Sequence, residues 1–82
     1  MTELKGKVAL ITGASRGIGA AVARALSKEG VKLGLASRSG ADLGLADALG
    51  LVCDVRDREQ VERAVAATVE RFGRLDICIA NA

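Results

Sequence analysis

Hydrophobic residues in this chain follow two alternating patterns: short unbroken apolar runs, and longer stretches where apolar positions return every three or four residues. The runs read as strands buried on both faces, and the periodic stretches as helices with one face in the core. Lys7–Thr12 is the first run, with Val8-Ala9-Leu10-Ile11 at its centre. From Gly17 the positions Ile18, Ala21, Val22, Ala25 and Leu26 recur at helical spacing, with Arg24, Lys28 and Glu29 on the other side and Gly30 placed to end the helix. Val31–Ala36 gives a second strand and Leu51-Val52-Cys53 a third. Between them, Gly40, Gly44 and Gly50 interrupt a Leu43, Leu45, Ala46, Leu49 pattern that could form only a short helix. Asp57-Arg58-Glu59-Gln60 reads as a capping box, with Asp57 accepting from the Gln60 N–H and Gln60 reaching back. Val61, Ala64, Val65, Thr68, Val69 and Phe72 then line one helix face, Glu62, Arg63, Glu70 and Arg71 face water, and Gly73 ends the helix. Ile77-Cys78-Ile79-Ala80 is the fourth strand.

Strands alternating with helices predict an α/β architecture, a parallel sheet with right-handed crossovers. On the doubly wound pattern the strand order is 3-2-1-4, and a ligand crevice opens between strands 1 and 4. Strand 4 is then an uncovered apolar edge, which invites association, so a homo-oligomer is one expected partner.

The first strand ends in Thr12-Gly13-Ala14-Ser15-Arg16-Gly17-Ile18-Gly19, three glycines at the point where strand turns into helix. Glycine lets the chain turn sharply and brings backbone N–H groups close to an anion. The start of the helix adds unpaired N–H groups and the positive end of its dipole, a combination that favours a bound pyrophosphate. A P-loop would need Gly-Lys-Ser/Thr at the helix start, and here stands Gly17-Ile18-Gly19, so an NTPase is excluded. In a dinucleotide fold the residue at the end of strand 2 meets the adenine-side ribose. A carboxylate there accepts from the 2′-OH of NAD, and a basic residue accommodates the 2′-phosphate of NADP. Ser37 is neutral at that place, Arg38 follows it, and Arg16 lies in the nearby glycine loop. Either arginine alone reads equally well as a solvated charge; the two together, with the acid missing, favour NADP over NAD.

The spacing Thr-Gly-x-x-x-Gly-Ile-Gly resembles the short-chain dehydrogenase/reductase family, and the resemblance extends along the whole chain. It implies a Rossmann-type half fold over residues 1–82, the amino-terminal cofactor-binding part of an oxidoreductase that transfers hydride between a nicotinamide and an alcohol or carbonyl substrate. It further implies that Asp54 bonds the adenine amino group, that Val55 contacts the ring through its backbone, and that Asn81-Ala82 begins the family's Asn-Ala-Gly motif. Against the family the segment 39–50 looks clipped. The family's Tyr-x-x-x-Lys pattern is missing, since the sequence has no tyrosine, so no catalytic residue is assigned. A non-catalytic dinucleotide-binding module or an inactive fragment stays open as the alternative.

Composition narrows the remaining classes. The chain of 82 residues is at most one small domain, which hides roughly 60% of the surface of its unfolded form. Half of it is hydrophobic, yet Phe72 is the only aromatic residue, so the core must be Val, Leu, Ile and Ala. A net charge of +2 from scattered residues, with no aromatic to stack on a base, argues against nucleic acid. No long apolar span or signal-peptide pattern is visible, which predicts a cytoplasmic protein without a membrane contact. Cys53 and Cys78 stand far apart with no histidine anywhere, so neither a metal nor a redox motif is supported, and both read as small buried hydrophobes.

Overall fold

The computed structural model describes residues 3–81. The elements are β1 (Val8–Thr12), α1 (Gly17–Lys28), β2 (Lys32–Ser37), β3 (Ala48–Val52), α2 (Arg58–Phe72) and β4 (Ile77–Ile79). The strands form one parallel sheet in the order β3-β2-β1-β4, as the alternation of patterns predicts. Val8 pairs with Lys32 at one end of β1 and Thr12 with Ala36 at the other, while Ala9, Leu10 and Ile11 pair with Ile77, Cys78 and Ile79.

The unbroken apolar runs are the two inner strands: every residue of β1, and every residue of β2 after Lys32, is buried. Successive side chains point to opposite faces, so each run feeds two cores. Ala9, Ile11, Leu33 and Leu35 pack with Ala23 of α1, and Val22 and Leu26 close that side. Leu10, Ala36 and Cys53 pack with Ala64 of α2, backed by Val61 and Val65. Thr68 is fully buried, and its hydroxyl donates to the Ala64 carbonyl at 2.8 Å, which removes the cost of burying it.

The ends of α2 follow the sequence signals with one difference. The Asp57 carboxylate accepts from the Glu59 and Gln60 N–H groups at 3.0 and 3.4 Å, and Gly73 closes the helix in the left-handed conformation at φ 85°. Gln60 does reach back, but to the Asp57 carboxylate rather than its backbone: Nε2 donates to Oδ2 at 3.1 Å and Oε1 accepts from the Asp54 N–H at 2.8 Å, while the Asp57 N–H donates to the Asp54 carbonyl. The start of α2 is thereby tied to the segment that follows β3.

Four expectations need correction. No helix forms between β2 and β3; residues 38–47 run as turns. Gly40, Leu43, Gly44 and Asp47 all have φ between 54 and 71°, and four left-handed residues in ten are incompatible with a right-handed helix. The third strand is Ala48–Val52 rather than Leu51–Cys53, because the Leu33 N–H takes the Asp47 carbonyl at 2.9 Å and pairing with β2 starts at once. Cys53 lies just past the strand, its N–H donating to the Ser37 carbonyl at 2.8 Å. Finally, Cys53 is buried as expected but Cys78 is exposed. Neither helix reaches β4, so the edge strand has no cover over that side chain. Ala80, expected in the fourth strand, lies just beyond it and is exposed.

Among the described residues, no helix is long and apolar enough to cross a membrane, and no group of His, Cys, Asp or Glu could hold a metal ion.

Candidate dinucleotide site

The turn between β1 and α1 is shaped by three glycines with different tasks. Gly13 and Gly17 have φ of 63 and 62°, which an L side chain adopts only at a cost. Gly19 is needed for space: a Cβ there would overlap the Gly13 carbonyl oxygen and sit 2.7 Å from Nδ2 of Asn81. Arg16 occupies the N-cap position in extended backbone, its side chain makes no cap hydrogen bond, and the first turn of α1 holds no acidic residue. The helix therefore presents its first N–H groups and positive dipole end without a side-chain acceptor, the arrangement that suits an anion.

A cleft of about 830 Å³ opens at this turn, along the carboxyl ends of the strands. Gly13, Ser15, Arg16 and Gly17 form one wall; Ser37, Arg38 and Ser39 come from the end of β2. Cys53, Asp54, Val55 and Arg56 follow β3, and Asn81 follows β4. The cleft thus gathers Arg16 and Arg38, twenty-two positions apart in sequence, around Ser37.

Ser37 is 6% exposed, and its hydroxyl accepts from the Gly40 N–H at 3.1 Å and shares a hydrogen bond with the Ser39 hydroxyl at 3.3 Å. Asp54 is engaged by Arg56, whose Nη2 and Nε lie 2.8 and 3.1 Å from its two oxygens and whose backbone N–H donates to Oδ1 at 3.0 Å. These side-chain and backbone bonds, with Arg38 adding its charge, hold the Asp54 carboxyl well below the usual carboxylate range. Burial, reinforced by Asp54 and Asp57, pushes the Cys53 thiol up, so it is a poor nucleophile beneath the cleft.

Nine of the thirteen residues singled out from sequence line the cleft: Gly13, Ser15, Arg16, Gly17, Ser37, Arg38, Asp54, Val55 and Asn81. Thr12 and Gly19 shape it from behind instead. The Thr12 hydroxyl accepts from the Asn81 N–H at 3.0 Å and donates to the Ile79 carbonyl at 3.5 Å, locking the end of β1 to the end of β4. Ile18 is 73% exposed and outside the cleft, and Ala82 lies outside the described residues. The sequence reading missed Ser39, Cys53 and Arg56. None carried a distinguishing signal, since the Asx turn that brings the Arg56 N–H onto Asp54 needs only a backbone donor, which every residue of this proline-free chain supplies.

A parallel sheet with a glycine-shaped helix start, and a cleft at the point where the strand order reverses, defines a dinucleotide-binding protein of the Rossmann type. The family model for short chain dehydrogenase matches residues 7–82, and the chain belongs to that family. Members of the family are oxidoreductases that bind NAD(P). The 1,6-dihydroxycyclohexa-2,4-diene-1-carboxylate dehydrogenase of Pseudomonas putida is 46% identical, over 96% of this chain and 32% of its own length. An uncharacterized oxidoreductase of Methylorubrum extorquens is 41% identical, over 99% of this chain and 37% of its own. That alignment runs over 91 positions against a chain of 82, so the relative carries at least nine residues that this chain lacks. Among solved structures, the 3-ketoacyl-(acyl-carrier-protein) reductase from Brucella melitensis, complexed with NADH, superposes with a TM-score of 0.85 at 36% identity. That match covers 92% of this chain and 34% of that one. The glucose dehydrogenase of Caenorhabditis elegans gives 0.88 at 31% identity, over 99% and 39%. The chain spans about a third of the length of the relatives it matches.

Proposed function

We propose that this chain is the NADP(H)-binding amino-terminal part of an oxidoreductase acting on an alcohol or carbonyl substrate. The observation that carries the choice of NADP is the wall around Ser37. A neutral hydroxyl stands where a carboxylate would select NAD, and Arg38 and Arg16 line the same cleft. Among the described residues the one carboxylate that lines it, Asp54, is already paired with Arg56, so it leaves the other two arginines available to a phosphate.

The residues present fit the cofactor. The N–H groups at the start of α1, reached past Gly13 and Gly17, suit the pyrophosphate; Ser37 and Arg38 suit the phosphorylated ribose. Asp54 retains acceptor capacity beyond its three bonds from Arg56, enough for the adenine amino group. Bound NADP(H) supplies the hydride chemistry. The chain itself binds and orients: the uncapped helix start holds the pyrophosphate, and Thr12, through Asn81, fixes the strand ends that flank the crevice. Proton transfer to the substrate oxygen is assigned to residues outside these 82, which include neither tyrosine nor histidine.

Fluorescence titration with both reduced cofactors tests the assignment. NADPH should bind about tenfold more tightly than NADH, the value of one charge-assisted hydrogen bond at a partly screened site. The preference should shrink as salt is added, because the discriminating attraction is between exposed charges. Ser37→Asp with Arg38→Leu should reverse it, since the new carboxylate accepts from a 2′-OH and repels a 2′-phosphate. Equal affinities at low salt in the unaltered chain would show that Arg16 and Arg38 form no phosphate clamp.

A further inference from the structure

The connection between β2 and β3 does work that a helix would otherwise do. On the face where α1 covers β1 and β2, it makes no contact with β3. There the strap of residues 38–47 takes over, with Leu43 and Leu45 packed on the cluster that contains Val31, Leu33 and Leu35. At Gly50 its contact with β3 is backbone on backbone, while the Val52 side chain lies beside Gly40. Gly50, opposite Leu35 in the sheet, has the Gly40 carbonyl oxygen where its Cβ would stand, and the Gly40 and Ala41 carbonyl carbons 3.1 Å from that point. At Gly50 no side chain fits between strap and strand.

The same stretch carries the ribose end of the cleft. Arg38 and Ser39 immediately precede Gly40 and line the cleft, and the turn is drawn together by hydroxyls. Ser37 Oγ accepts from the Gly40 N–H, Ser39 Oγ accepts from the Ala41 N–H at 3.3 Å, and the two hydroxyls bond each other. The far end of the strap is held by Leu33, whose N–H takes the Asp47 carbonyl. Arg38 is thus on a short tether whose next fixed point is the contact at Gly50.

We propose that Gly50 is a positioning residue for the 2′-phosphate subsite: by letting the strap lie directly on β3 it sets where Arg38 and Ser39 stand, and so determines preference for a phosphorylated ribose. The inference rests on the NADP(H) reading above. A methyl group at residue 50 lifts the strap by about 1 Å, the difference between overlap and ordinary van der Waals contact. Arg38 and Ser39 move with it. The glycine turn lies on another segment, and Asp54, four residues past Gly50, is held by Arg56 and Gln60, so binding of a dinucleotide without the 2′-phosphate changes much less.

The test measures NADPH and NADH dissociation constants by fluorescence for the chain and for Gly50→Ala and Ser39→Ala, with far-UV circular dichroism melts to verify folding. In the unaltered chain, NADPH preference tests the cofactor reading alone; without it that reading and this one both fall. Given that preference, Gly50→Ala is expected to weaken NADPH about tenfold and NADH less than twofold, and to flatten the salt dependence of NADPH binding. Ser39→Ala, which removes an anchor of the strap without adding bulk, should weaken NADPH severalfold and NADH by a smaller factor. It decides the matter if Gly50→Ala does not fold. Equal losses for the two cofactors, or none in a folded variant, would overturn the role of Gly50 and leave the phosphate clamp standing.

Discussion

Gly19→Ala adds one methyl group at the most crowded point of the site. Its carbon would overlap the Gly13 carbonyl oxygen and lie 2.7 Å from the Asn81 side-chain nitrogen. The Asn81 amide can rotate away, losing a long bond to the Gly13 carbonyl at 3.5 Å. A backbone oxygen cannot, so the start of α1 and the Gly13 turn must separate by about 1 Å to restore ordinary contact. Two terms oppose each other. Alanine favours a helix over glycine by about 1 kcal/mol, less near a helix end, whereas overpacking against rigid backbone costs about 1–3 kcal/mol. The clash wins because the turn is also fixed on its other side, where the Ala14 N–H donates to the Ala36 carbonyl. A net loss of roughly 1–2 kcal/mol lowers Tm by about 4 °C or more in a domain this small. NADPH affinity should fall at least about tenfold, because a displacement of that size takes the N–H donors of the first turn out of hydrogen-bond range of a pyrophosphate. Thermal melts and fluorescence titration well below Tm separate the two effects. A variant that melts with the parent and binds NADPH equally well would refute the claim that Gly19 is there for close approach.

Two further outcomes concern groups outside the glycine turn. Arg74, with help from the Val8 N–H, holds the Asp76 carboxyl below its ordinary value. Its contribution is therefore complete above about pH 4 and is lost as pH falls through the depressed folded value. Asp76→Asn should lower Tm at neutral pH and flatten the acid side of the Tm profile, and parallel acid limbs in the two proteins would contradict this. A thiol-reactive dye should label exposed Cys78 in the native protein and Cys53, 2% exposed, only on unfolding. Native labelling that survives Cys78→Ser would show the packing around Cys53 to be wrong.

Much of this was legible from local pattern. The unbroken Val8–Ile11 run announced an inner strand, Asp57 and Gly73 marked the ends of α2, and three glycines between strand and helix announced the turn at which the cleft opens. What could not be read depends on contacts between distant segments. β3 contains Gly50, a poor strand former that is needed because the strap lies on it, so the local signal pointed to Leu51–Cys53 instead. Cys78 sits in an apolar run like its neighbours, and only its place on an edge that neither helix covers exposes it. Ser39 lines the cleft within a hydroxyl-bonded turn just past β2, which no periodicity encodes.

Amide chemical-shift mapping with NADPH tests most directly whether this cleft is the dinucleotide site. The largest changes should fall on Gly13–Gly19, Ser37–Ser39, Asp54–Arg56 and Asn81, with those at Ser37–Ser39 much reduced when NADH replaces NADPH. Changes centred elsewhere, or none at saturating NADPH, would contradict the assignment.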